Sequence, residues 1–349
     1  MSKYNSIDIF KFIASFFVVI IHISLFNDVN PYLNLFTVHG VSRLAVPMFF
    51  LSSAFFFYKK FLSLDEALQK QALINYTKRM LLLYFCWFII CLPKTIYERF
   101  IYNGKPFFEN FLMFIKSFFL TSTFSGSWFL VSCVFSAWFV FFISNLEFKK
   151  PRKAESILIV VSVVCYLFCI ITSAYGNVFF KIGIGNLYEN LVFYFTKPYT
   201  SILVGIPYFA LGRYIAKKDP HLTSVDKVLC AVSLALFFVE IFITHKLQLQ
   251  RSSDCYLMLL PCSYLLFVLI KDIKIDLNFN PVLLRNTSTI VFFSHFIWIF
   301  IIDICEKIFV LSVNTIFRFL IVSVLCLLTA GIFVKLSKYK IFSWLKFFY

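Results

Sequence analysis

The chain has 349 residues, of which 61% are hydrophobic, 21% aromatic and only 14% charged, and its formal net charge at pH 7 is +16. No water-soluble globule of this length hides so much apolar surface, so the composition excludes an ordinary soluble enzyme and marks an integral membrane protein. The basic residues stand in short clusters between apolar runs, where topogenic charges belong, which disfavours nucleic acid as a partner and leaves the lipid bilayer as the surroundings.

Taken in chain order, apolar segments near the ~20 residues that cross a bilayer as a helix are 7–26, 44–61, 79–97, 128–145, 156–174, 200–216, 228–244, 254–270, 288–308 and 316–334. They predict an all-α polytopic membrane protein with about ten transmembrane helices in a single domain. The first run is long and no small-residue cleavage site follows it, so it is expected to be the first membrane helix and not a removed leader. A further apolar stretch, 107–124, is interrupted by Glu109 and Lys116.

Charge decides how that stretch is read. If it crosses fully, the cluster Lys149, Lys150, Arg152 and Lys153 falls opposite Lys59, Lys60, Lys70, Lys78 and Arg79. If it is re-entrant or interfacial, every basic cluster falls on one side, including those at 213–227, 271–285 and 335–346. The second arrangement is expected, with both termini in the cytoplasm. The ten cysteines lie in the apolar segments without metal-ligand spacing or loop pairs suited to disulfides, and read as small buried hydrophobes. No zinc-type spacing, Gly-rich phosphate loop or Gly-x-Ser-x-Gly elbow occurs, so no metal is expected.

Lys11 and His22 are the strongly polar side chains in the body of the first run. Eleven steps at ~100° return nearly to the starting azimuth, so both face the same way about 16 Å apart along the axis. Ionisable groups inside a membrane helix are costly unless they line a polar cavity or find partners, which makes this pair a functional candidate. In the expected topology His22 and Arg43 meet in an outward-biased pocket, while Lys11 shares the inner side with Lys78, Arg79 and Arg285. A histidine near neutrality acts as a general base, and cations bind phosphates or stabilise developing negative charge.

Each residue also has a plainer reading. Asp8 lies one turn before Lys11 and is placed for a local salt bridge with it, or Lys11 snorkels to the interface. Arg43 serves as an interfacial anchor, Lys78 and Arg79 as topogenic charges, Trp128 as part of an aromatic belt, and His295 as a packing residue. Glu240, Asp303 and Glu306 fall near helix ends and are most simply solvated, while His39, His221 and His245 lie in loops without an assigned role.

The run Ile7-Asp8-Ile9-Phe10-Lys11, continuing through apolar residues to His22, resembles the opening helix of the membrane-bound acyltransferase-3 family. That family has arginine where Lys11 stands, so the charge is kept and the planar fork is lost. The stretch from Ser42-Arg43 to Ser52-Ser53 is similar to the family's second helix, with Ala54 where glycine is commoner. Further similar elements are Lys78-Arg79 leading to Tyr84 and Trp87, then Gly126-Ser127-Trp128, then Arg285-Asn286-Thr287-Ser288 leading to His295. Tyr76 stands where the family often has an arginine three residues before Arg79.

The resemblance implies transfer of an acyl group, usually acetyl from acetyl-CoA in the cytoplasm, to a hydroxyl of a glycan or lipid-linked saccharide such as O-antigen or capsule, in a bacterial inner membrane. On that reading Lys11, Lys78 and Arg79 hold the CoA phosphates, His22 and Arg43 carry the catalysis, and Trp128 and His295 contact the acceptor. The alternative is a flippase or other transporter of polysaccharide or lipid-linked sugar, against which stands the lack of internal repeats and of paired broken helices.

Overall fold

The structure, a computed structural model, describes residues 4–102, 104, 106–120, 123–145, 151–195 and 197–349. Lys149 and Lys150 of the second basic cluster lie outside the described residues. Among the described residues every regular element is helical: α1 Asn5–Ile23, α2 Pro31–Val38, α3 Ala45–Phe61, α4 Glu66–Ile96, α5 Phe107–Leu120, α6 Ser127–Asn145, α7 Pro151–Thr172, the short α8 Val178–Lys181, α9 Gly185–Phe195, α10 Ile202–Lys218, α11 Ser224–Lys246, α12 Leu259–Asp272, α13 Val282–Phe309 and α14 Thr315–Leu336.

Local chemistry sets several of these boundaries. Asn30 caps α2 by accepting from the amides of Tyr32 and Leu33, with Pro31 in the first turn where its missing N–H costs nothing. Thr223 and Asp226 satisfy each other's amides in a capping box that starts α11. Ser201 and Asn314 accept from the amides of Leu203 and Ile316 at the starts of α10 and α14.

Among the described residues eight helical stretches are long and apolar enough to cross a bilayer, and the chain is a multi-pass membrane protein. The two remaining expected spans, 200–216 and 254–270, correspond to α10 and α12, which are shorter, at 17 and 14 residues. In α12 the first turn is lost because the amides of Leu257 and Met258 are held by the Glu240 carboxylate at 2.7 and 2.8 Å instead of entering the helix. Helix α5 has 14 residues, ~21 Å of rise, which like α12 is short of a ~30 Å hydrocarbon core. This suits the interfacial or re-entrant reading of that segment.

Helix α10 sits at the centre, packed against α3, α6 and α7, while α1 packs along α13. The α3–α10 approach is so close that a Cβ on Gly212 would collide with Ala54. The small residue sits on α10 here, opposite the Ala54 that replaces a commoner glycine. All ten cysteines are free thiols, and Cys305 is the exposed one.

Candidate functional site

Lys11 and His22 both face α13, near opposite ends of α1. Lys11 opens into a chamber of about 450 Å³ between α1, α3, α4 and α13, a size typical of small-molecule sites. Lys60, Arg79 and Arg285 also line it, together with Ser53, Asn75, Tyr76 and Thr289, and among the described residues no Asp or Glu side chain does. Tyr76, in place of the second family arginine, donates to or accepts from Ser53 at 2.8 Å and keeps that wall polar but neutral. Lys78 is exposed and does not line the chamber. Adjacent residues on a helix point ~100° apart, so only Arg79 of the pair is aimed inward.

The carboxylate that Lys11 was expected to share is spent elsewhere. Asp8 is fully buried and receives a bidentate grip from Arg285, Nε at 3.1 Å and Nη2 at 2.8 Å. Arginine's planar fork matches a carboxylate in a way that an ammonium cannot, so Arg285 wins the pairing over the nearer-in-sequence Lys11. Among the described residues Lys11, Lys60 and Arg79 therefore face the chamber with no hydrogen-bond or ion-pair partner.

Toward the far end of α1 three rings close the chamber. Phe49, Phe129 and Phe292 stand 5.2 to 6.3 Å apart, centroid to centroid, in all three pairings. One turn further along α13, His295 and Phe296 meet His22, with ring centroids 5.3 and 4.6 Å away. His22 lies deep in the bundle yet its side chain is accessible, and among the described residues it has no hydrogen-bond partner. His295 is fully buried; its Nδ1 donates to the Val291 carbonyl at 3.0 Å, which leaves Nε2 as an unpartnered acceptor.

Gly126 makes the Phe296 position possible. Its φ of +83° suits glycine, and a Cβ there would lie 2.7 Å from the Phe296 ring. Arg43 and Lys94 are the cations whose fields reach His22. Lys94 is itself paired with Glu98 at 3.0 Å.

Arg43 and Trp128 share a second, much smaller cavity of about 30 Å³ with Tyr199, Tyr208 and Asp254, adjoining Ile21 beside His22. It has room for a water or two. The Arg43 guanidinium is fully engaged: Nε donates to the Val38 carbonyl at 3.2 Å, Nη2 to Ser253 at 3.0 Å, and Nη1 pairs with Asp254. Ser253 also meets His39 Nδ1 at 2.5 Å, so that loop histidine has a structural partner. Trp128, half-buried at the start of α6, tilts against Phe50 at 5.9 Å.

Glu240, Asp303 and Glu306, most simply solvated by their sequence positions, each have protein partners in the structure. Glu240 is buried, accepting from Tyr175 and from the start of α12, and so fixes the loop that carries Ser253 and Asp254. Asp303 and Glu306 both bind Arg318 and staple α13 to α14. Lys60, Ser253, Asp254 and Glu240 were not singled out as site residues. The partners of Ser253 and Asp254 lie up to 214 residues away in sequence, as for His39 and Ser253, which no local pattern reveals.

Residues 4–335 match a family model described as an acyltransferase domain. Among similar curated proteins, one named amino-acid racemase, from Enterococcus faecalis, is 25% identical over 273 residues, which is 77% of this chain and 36% of that protein. Another of the same name and organism is 23% identical over 345 residues, 96% of this chain and 46% of that protein. The chain thus spans less than half the length of these relatives. No solved structure matches. With the family match running from the start of α1 to the end of α14, this multi-pass membrane protein belongs to the acyltransferase-3 family.

Proposed function

We propose that the chain moves an acetyl group from acetyl-CoA in the cytoplasm to a hydroxyl of a cell-surface glycan such as O-antigen or capsule, working in a bacterial inner membrane with the Lys11 end of α1 and both termini on the cytoplasmic side. The observation that carries this reading is the chamber with three cations unpartnered and no acidic side chain in its lining among the described residues, set on the same face of α1 as an accessible histidine with no hydrogen-bond partner among them. Such a chamber suits a ligand with several phosphates. Lys11, Lys60 and Arg79 would hold the CoA phosphates, and Arg285 would stay with Asp8 and fix the wall.

The thioester then has to pass Phe49, Phe129 and Phe292 to reach His22. His22 takes the proton of the acceptor hydroxyl as its oxygen bonds to the acyl carbon; the carbon–sulfur bond breaks and the proton passes to the leaving thiolate. His295, fully enclosed, packs against His22, while Arg43 and Trp128 shape the adjoining acceptor end. The racemase name belongs to the two whole relatives, and the shared region is less than half of each.

The test is the O-acetyl content of the surface glycan, by proton NMR before and after mild alkali, in cells expressing the wild-type chain or His22→Ala. Acetyl present with the first and absent with the second, at equal glycan yield and protein level, is the expected result. Loss of the glycan itself in the variant would overturn the transferase and favour a transporter.

A further inference from the structure

A third cavity, of about 730 Å³, lies apart from both chambers, between α7, α10 and α12. Its walls are apolar, with Leu158 and Leu167 from α7, Pro207 and Leu211 from α10, and Pro261 and Tyr264 from α12. Pro207 removes the amide that would have bonded one turn back inside α10, and Pro261 sits in the first turn of α12; both face this groove. In a membrane-spanning bundle an apolar groove open at the side is filled by hydrocarbon, since no water is present to occupy it.

The charge at one end says what that hydrocarbon is attached to. Glu155, Arg213, Lys217 and Lys218 gather there. Lys217 holds Glu155 at 3.1 Å, and Arg213 is nearly buried. Lys218 is exposed with no ion-pair partner among the described residues. From Lys218 back to Pro207 the helix rises ~16 Å, about half a hydrocarbon core. The groove is therefore one leaflet deep, basic at its rim and apolar along its length.

We propose that this groove is a binding site for an anionic glycerophospholipid, with the acyl chains lying along α7, α10 and α12 and the phosphate against Lys218 and Lys217. The site is independent of the acyl-transfer reading and rests on the groove alone.

Native mass spectrometry of the full chain, purified in neutral detergent and mixed with equal phosphatidylglycerol and phosphatidylcholine, tests it. The wild type should retain phosphatidylglycerol with a preference of roughly 5-fold, the gain expected for the one lysine, Lys218, that has no carboxylate partner at the headgroup. Lys217→Gln with Lys218→Gln should bring the two lipids to parity. Val163→Trp, which fills the groove from an exposed position, should expel both. Equal retention of the two lipids by the wild type would overturn the headgroup assignment. Retention untouched by Val163→Trp would place the lipid elsewhere and overturn the site.

Discussion

The two ends of α1 are built on opposite electrostatic plans. At the Lys11 end the chamber is large and keeps three cations without partners, with its buried acid, Asp8, taken up by Arg285. At the His22 end the adjoining cavity is small and its arginine is fully paired, through Asp254, Ser253 and Val38. Unpaired charge facing a cavity is costly in a membrane protein unless a ligand of opposite charge completes it, so the first end is shaped to bind an anion. The second end offers an accessible imidazole beside a paired arginine and the unpartnered Nε2 of His295, a setting suited to proton transfer with an uncharged hydroxyl.

The contrast is broken most severely at the reactive end. His22→Ala should lower turnover by roughly 10²–10⁴-fold, the usual contribution of a general base. Protein level should be unchanged, because His22 makes no hydrogen bond or ion pair among the described residues. Acetyl transfer measured at saturating acetyl-CoA reads this, and a turnover within threefold of wild type would remove His22 from the chemistry.

Arg285→Ala attacks the other end through stability. It strands the buried Asp8 carboxylate and should cost about 3–5 kcal/mol, the loss typical when one partner of a buried pair is removed. The melting temperature in detergent reports it. Asp8→Asn combined with Arg285→Met should recover most of the loss; failure to recover would mean that Arg285 matters for something other than Asp8.

A smaller effect sharpens the anion-binding half. Lys11→Ala should raise the KM for acetyl-CoA about tenfold or more, as loss of a hydrogen bond to a charged group does, with turnover at saturation little changed. Lys11→Arg should keep the wild-type KM, since charge is what the chamber asks of this position. A fall in turnover with KM constant would instead move Lys11 into the chemistry.

The smallest effect lies outside the membrane, at the end of α10. Asp219 bonds Lys271 at 2.8 Å and Lys59 at 3.4 Å, and the Lys271 hydrogen bond holds its carboxyl below the usual range. A carboxyl lowered in the folded state stabilises above the usual carboxylate pKa, and that contribution fades as pH falls through the folded value. Asp219→Asn should therefore cost at most about 1 kcal/mol at neutral pH, given how exposed the group is. The difference from wild type should shrink in acid. A gap that widened toward low pH would contradict the pairing.

Much of the fold was legible because membrane helices announce themselves by length and apolarity: the ten expected spans each coincide with a helix. Where reading fell short, a tertiary partner had intervened. Glu240 stops α12 from starting earlier by taking the amides of Leu257 and Met258, and nothing near residue 257 signals a glutamate on α11. The co-facial placement of Lys11 and His22 follows from helical period alone. The pairing of Asp8 does not, because a partner 277 residues away with better geometry displaces one three residues away. Lys78 and Arg79 are indistinguishable as letters, and only the rotation of α4 separates the residue that lines the chamber from the one that faces out.

The division of labour between the two ends is tested most directly by acetyl-CoA binding to the purified chain in nanodiscs, comparing wild type, His22→Ala and Lys11→Ala combined with Arg79→Ala. We expect His22→Ala to bind acetyl-CoA as tightly as wild type while transferring acetyl roughly 10²–10⁴-fold more slowly, and the double variant to bind at least tenfold more weakly. Binding lost with His22→Ala and unchanged in the double variant would contradict the account.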